Sequence, residues 1–323
     1  MASLAQQAQP RTGRIIGIAL VNLATLTWSS NMVLGRALRE DIGPLALAAS
    51  RFLIASVIFA VLLQRQPAAA RRLDHDRWLL VAMGLCGAMF APALYLGLRH
   101  TSAVNATLIN GLGPLVTGLL AAPLIGEPMS RPQLTGALAG LVGIGILISH
   151  GSLALWDRIR GSPGDIIVLG ALTLWSLYSV LGRRVMGRRS ALSATALSML
   201  VGLPLLLIGT AWELQRFPVH IHAELLFAIL YIGIAPTVVG FLSWNTGVRR
   251  LGASGAMVFY NTLPLYGSLL AYLFLGESVG PTHLAGGLLI VGGGLWAARG
   301  QEGRSSHAVR RTSGDPTVTD QQR

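Results

Sequence analysis

Apolar residues fall into ten runs along the chain, at about 15–35, 43–64, 78–98, 102–124, 132–150, 164–184, 191–212, 223–246, 252–274 and 280–298. Each run is close to the ~20 residues that a helix rising 1.5 Å per residue needs to cross the bilayer hydrocarbon. They are too long and too evenly apolar for barrel strands, and lipid tolerates only backbone whose hydrogen bonds are closed. The pattern therefore predicts an all-α integral membrane bundle of ten transmembrane helices joined by short connections rich in Gly, Pro and Arg. The first run follows Arg11 and Arg14, exceeds a signal-peptide core and precedes no Ala-x-Ala site, so it is kept as a mature helix. Beyond Gly300 the chain is Ser/Thr/Gln-rich and aperiodic, which predicts a disordered tail.

The pattern repeats. Shifted by 150 residues, Leu98–Glu127 overlays Val248–Glu277 with ten identities in thirty positions, among them Pro114/Pro264 and the closing pairs Gly126-Glu127 and Gly276-Glu277. Shifted by 147, Ala24–Arg36 overlays Ala171–Arg183, matching Trp28-Ser29 to Trp175-Ser176. Five runs per half is an odd number, so the second half must enter the membrane from the opposite side, the inverted repeat common among secondary transporters. The expected organisation is a tail at 1–14, a first five-helix repeat at 15–150, a connection at 151–163, an inverted five-helix repeat at 164–298 and a tail at 299–323.

Composition sharpens this picture and charge orients it. Hydrophobic residues make up 52% of the 323 and charged residues only 12%, against roughly 25% charged in soluble domains. The net charge of +12 comes from arginine alone and is spread over short loops, which argues against a nucleic-acid surface. With the N-terminus inside, eighteen arginines fall on the cytoplasmic side and six outside, with Arg51 alone within a run. That bias predicts cytoplasmic termini in a bacterial inner membrane. One cysteine, Cys86, excludes an intrachain disulfide and leaves a cysteine-rich metal site unsupported.

These features together resemble the drug/metabolite transporter superfamily, and within it the ten-helix EamA branch. The resemblance rests on Trp28-Ser29, Trp175-Ser176, Arg51-Phe52, the mid-helix Pro114 and Pro264, and the two Gly-Glu pairs, each followed by a Gly-rich helix. It covers residues 15–298 and is most similar to the YddG-type exporters of aromatic amino acids. The second half departs from the pattern, since Ser198 stands opposite Arg51. The resemblance implies a non-enzymatic carrier that exports amino acids by alternating access, with no cofactor or metal.

Candidate chemistry lies at mid-depth, where inverted-repeat carriers bind substrate. A proline frees the carbonyl one turn back, so Asn110-Gly111 before Pro114 and Tyr260-Asn261 before Pro264 are candidate ligands. Trp28 and Trp175 lie nearer mid-span than an interfacial belt would, with Asn31 and Tyr178 one turn later on the same face. Tyr95, Trp244 and Tyr266 are further aromatic candidates, and Pro92, Pro114, Pro236 and Pro264 are candidate hinges. Arg51, ~9–12 Å into its helix, either snorkels outward or bridges to Asp41, or else grips a substrate carboxylate with its guanidinium fork.

All thirteen acids fall in tails, loops or run ends, and no Walker-type loop is present. Uncoupled, gradient-driven movement is the economical expectation. Glu127 and Glu277, predicted a membrane apart, fit helix-end capping or gate contacts better than shared acid–base work. The Gly-rich fifth and tenth runs fit close helix packing or a dimer contact, so a monomer or homodimer is expected. An apolar cavity with aromatics and amides suits a neutral or zwitterionic small molecule with a hydrophobic group. A multidrug, nucleoside or sugar carrier of the same fold remains an alternative, as does a polytopic membrane enzyme acting on a lipid.

Overall fold

A computed structural model describes residues 11–73, 76–126, 130–149 and 163–312; Glu127, His150, the connection at 151–162 and the last eleven residues lie outside them. The helices are α1 (Arg11–Ala37), α2 (Pro44–Gln64), a short α3 (Ala68–Arg71), α4 (Arg77–His100), α5 (Ala103–Asn110), α6 (Gly113–Ile125) and α7 (Arg131–Ser149). They continue with α8 (Pro163–Met186), α9 (Ala191–Glu213), α10 (Ala223–Ile232), a π-helical stretch Gly233–Val239, α11 (Gly240–Tyr260), α12 (Thr262–Leu275) and α13 (Pro281–Thr312). Among the described residues there is no strand.

Six helical stretches are long and apolar enough to cross a bilayer, and the bent α5–α6 pair makes a seventh. The outer surfaces of the bundle's helices carry large apolar side chains, with Phe227, Phe274 and Leu288 each 73–75% exposed. A water-facing protein rarely tolerates such contiguous apolar area, whereas lipid makes it free of cost.

Elements from residues 11–149 interleave with those from 163–312. α1 packs along α11 and α4 packs along α8, while α7 and α13 pair with each other. Glycine sets the last pairing: a Cβ on Gly143 would sit 2.7 Å from the carbonyl oxygen of Gly286, and one on Gly293 would sit 2.5 Å from that of Gly136. The two backbones touch because neither carries a side chain there.

Helix ends explain the repeated Gly-Glu pairs. Gly126 (φ 70°) and Gly276 (φ 66°) close α6 and α12 in the left-handed conformation, which strains any residue bearing a Cβ. Glu277 then turns both carboxylate oxygens onto the start of α5, accepting from the Ala103 and Val104 N–H groups at 2.9 Å each. Ser102 accepts the next, from Asn105 at 3.0 Å, so the first turn of α5 has no orphan donor. Glu213, at the end of α9, does the same for α2, accepting from Leu45 at 3.1 Å and Ala46 at 2.8 Å. For Glu277 the expected helix-end role is what the geometry shows.

Three expectations change. The run at 102–124 is two helices bent by 41°, because Pro114 sits in the first turn of a new helix and does not kink an existing one. Its counterpart Pro264 likewise lies in the first turn of α12, after a break at Asn261. The expected gap between 246 and 252 keeps helical backbone, since Leu251-Gly252 offers no capping side chain where the first half has Thr101-Ser102. The last helix runs past 298 to Thr312, through a segment without proline.

Candidate substrate site

Arg51 is the one charged residue in the middle of α2, and the bundle buries it to 5% exposure. Its Nη1 donates to the Tyr95 hydroxyl at 3.1 Å and, at 3.5 Å, to Asn31 Oδ1. Tyr95 in turn donates to Asn31 Oδ1 at 2.7 Å, so α1, α2 and α4 meet in one polar triad. Arg51 Nε is buried and without a partner, and the guanidinium makes no ion pair. The bridge to Asp41 does not form: Asp41 instead faces His222 Nε2 at 3.5 Å, near the surface. A buried guanidinium with donors to spare is costly to leave unpaired, and carboxylate is the group its planar fork matches.

Aromatic rings collar this triad. Trp28 lies 6.2 Å from Trp175, its counterpart in the other half, 6.0 Å from Phe241 and 5.5 Å from Trp244 (ring centroids). Tyr260 closes against Trp244 at 5.6 Å, Phe90 against Trp175 at 5.2 Å, and Trp175 stacks on Tyr178 at 5.4 Å and 16°. The Trp28 indole N–H donates to the Pro236 carbonyl at 3.0 Å, tying the collar to the π-helical stretch. Pro236 lacks the N–H that would serve the Ile232 carbonyl; the Thr237 hydroxyl supplies that bond instead, at 2.8 Å. Ser29 donates to the Leu263 carbonyl at 2.8 Å, beside the break before α12, while its counterpart Ser176 is buried with no partner.

On one side of the collar lies a cavity of about 330 Å³, bounded by Pro114, Thr117, Tyr178, Arg183, Trp244 and Asn245 among others. On the other side two recesses of about 40 and 20 Å³ both reach Arg51, each with room for a water-sized group. The large cavity opens where Met83, Arg183 and Met186 lie, toward the end of the bundle that carries Arg188 and Arg189. Its size is that of a single small-molecule site.

Most of the residues singled out from sequence meet here. Trp28, Asn31, Arg51, Asn110, Trp175, Tyr178, Trp244 and Tyr260 line one or more of these spaces, and Tyr95 supports Arg51 from behind. Three stand elsewhere. Gly111 abuts Pro264, where a Cβ would meet the proline ring at 2.8 Å. Asn261 presses on Gly294 of α13, and the Tyr266 hydroxyl donates to Asn22 Oδ1 at 2.8 Å. Of the prolines, Pro114 borders the large cavity, Pro236 sits in the π-helical stretch, and Pro92 is buried inside an unbroken α4. Phe90, Phe241 and Asn245 also line the cavities and went unnamed in the sequence. Phe241 had a legible signal, lying three residues before Trp244 on the same helix face.

Known proteins match most of this chain. A solved crystal structure superposes with a TM-score of 0.59 at 22% identity, covering 95% of this chain and all of that one, which shows a shared fold. The uncharacterized transporter YyaM of Bacillus subtilis is 29% identical over 79% of this chain and 84% of its own length. A probable terminal-alkyne amino-acid exporter of Streptantibioticus cattleyicolor is 27% identical over 88% and 94%. An S-adenosylmethionine/S-adenosylhomocysteine transporter of Chlamydia trachomatis is 27% identical over 86% and 88%. The EamA-like transporter family profile matches twice, over residues 15–149 and 162–298. The chain belongs to the EamA-like transporter family.

Proposed function

We propose that this protein is a secondary carrier that exports small metabolites bearing a carboxylate and a hydrophobic or aromatic group, amino acids and their derivatives among them, across a bacterial inner membrane. The observation that carries this is Arg51: a buried guanidinium with an unpartnered Nε, lining two small recesses beside the collar of aromatic rings. A substrate carboxylate would complete the fork and the side group would lie among the rings. The amino-acid exporter among the relatives supports the substrate class.

The transport cycle follows from ten spans arranged as two inverted repeats with cytoplasmic termini, as the arginine bias suggests. On that topology the 330 Å³ cavity opens to the cytoplasm and the end sealed by Glu213 and Glu277 faces out. Alternating access would exchange which end is sealed. Among the described lining residues no carboxylate or histidine offers a proton relay, so downhill facilitated movement is the mechanism proposed.

The test is flux in proteoliposomes, with candidates chosen by ligand-dependent thermal shift across amino acids, nucleosides and sugars. Counterflow of phenylalanine or a similar amino acid with no pH gradient or membrane potential is the expected result. No flux of any small solute would overturn the carrier assignment, and flux only with a proton gradient would overturn the uncoupled mechanism.

A further inference from the structure

Charge around the candidate site is one-sided, and that has a consequence for what it selects. Two cationic side chains line these spaces: Arg51 in the two small recesses and Arg183 in the large cavity. Among the described lining residues there is no Asp or Glu. Among the described residues, the acids at the two ends of the bundle are engaged with other partners. Asp165 takes Thr101 and both 3.2 Å bonds from Asn105, Glu213 and Glu277 cap helices, and Asp76 faces Arg188 and Arg189 at 3.4 Å each. A zwitterion entering this space brings a carboxylate that Arg51 can pair and an ammonium for which no carboxylate waits. Around Arg51 the described groups open to that ammonium are ring faces, hydroxyls such as those of Tyr260 and Ser198, and the amides of Asn31 and Asn110, none of them an anion. The ammonium must lie within a few ångströms of the guanidinium it repels.

We infer that the site selects monoanionic carboxylates with an apolar group, such as amino acids whose amine is acylated or absent, over the free zwitterions. This rests on the carboxylate-carrier proposal and deepens it by assigning the net charge of the cargo. Arg51 is the counter-ion such a cargo lacks, and the cargo is the counter-ion the buried Arg51 lacks. With one uncompensated negative charge carried per cycle, transport moves current. An inside-negative membrane potential then drives the anion outward with no proton involved, by a factor of about 50 in concentration ratio for each 100 mV.

Three probes separate the possibilities on the intact protein: N-acetyl-phenylalanine, phenylalanine and phenylethylamine, which present carboxylate alone, both groups, and ammonium alone. The expected affinity order is N-acetyl-phenylalanine above phenylalanine by about tenfold, with phenylethylamine weakest. In proteoliposomes carrying a potassium diffusion potential, inside-positive voltage should accelerate N-acetyl-phenylalanine uptake and leave phenylalanine uptake unchanged. Arg51→Gln should collapse the preference to near unity, and Arg51→Lys should keep its sign at weaker affinity. Should neither variant fold, the voltage response of the wild type decides alone. Phenylalanine moving while N-acetyl-phenylalanine does not, or equal affinity with no voltage response, would overturn the charge assignment and leave the carrier standing. Flux of neither, nor of any other carboxylate, would take down the carrier proposal with it.

Discussion

The two ends of the bundle are built by different means. At the sealed end, α5 alone is held by Glu277 and Asn105–Asp165, and α2 is held by Glu213. Arg36 adds two donations to the last carbonyls of α4, Leu98 at 2.8 Å and Arg99 at 3.0 Å, and stands 3.8 Å from Glu277. Every carboxylate in this set comes from the second half of the chain and grips a helix of the first. At the open end the described residues are joined by Asp76 with Arg188 and Arg189, and by Ser193 with the Ala70 carbonyl, with aromatic rings and methionines facing the cavity between. Directional polar bonds seal and can be exchanged for water; an aromatic wall offers contact area to a ligand without specifying its shape. On the proposed transport cycle, the contrast points to the sealed end as the joint that would part for substrate to leave.

The largest effect should come from removing the group that lies between the ends. Arg51→Ala is expected to cut flux by about 30-fold or more, since truncating one partner of a buried charged pair costs about 2–5 kcal/mol. The ligand-free protein should melt no lower than wild type, because an unpaired buried charge is removed; a fall in Tm alongside intact flux would show Arg51 to be structural. Next, Glu277→Ala or Glu213→Ala leaves two helix-start donors unmet, at about 1–3 kcal/mol. In a Cys86→Ala background, labelling of Leu38→Cys at the sealed end should rise several-fold in either variant. Unchanged labelling would mean that the caps do not hold that end shut.

A smaller change should follow Trp28→Phe, which keeps the ring but loses the bond to Pro236, at about 1 kcal/mol. It should show as a roughly fivefold change in substrate affinity with little loss of stability. The smallest belongs to Asp76→Asn at the open end, where Arg188 is mostly exposed and Arg189 is not. Flux is expected to move by less than about twofold; a larger loss would show that the open end, too, is held by its ion pairs.

Much of this molecule was legible in its sequence, and the parts that were not share a cause. Helix positions followed from apolar run length, and Trp28/Trp175, Asn31/Tyr178 and Asn110/Tyr260 were found because duplicated positions converge on one cavity. Phe90 and Phe241 were harder, because in a membrane bundle the lipid face and the cavity face are both apolar and helical periodicity does not separate them. Glu213 was invisible as a cap, since its partners Leu45 and Ala46 are 168 and 167 residues away. Tyr266 misled for the converse reason: its hydroxyl is consumed by Asn22 across a helix interface.

The glycine contact between α7 and α13 reaches further than packing. Gly143 meets the backbone of Gly286 and Gly286 meets that of Gly143, so the joint is reciprocal: each half offers the other the same smooth strip. A joint of that kind does not depend on covalent continuity. Two polypeptides, one ending near Ser149 and the other starting near Pro163, carry everything needed to recognise each other along it. Co-expressed as separate pieces, they are expected to assemble in the membrane as a heterodimer along that strip.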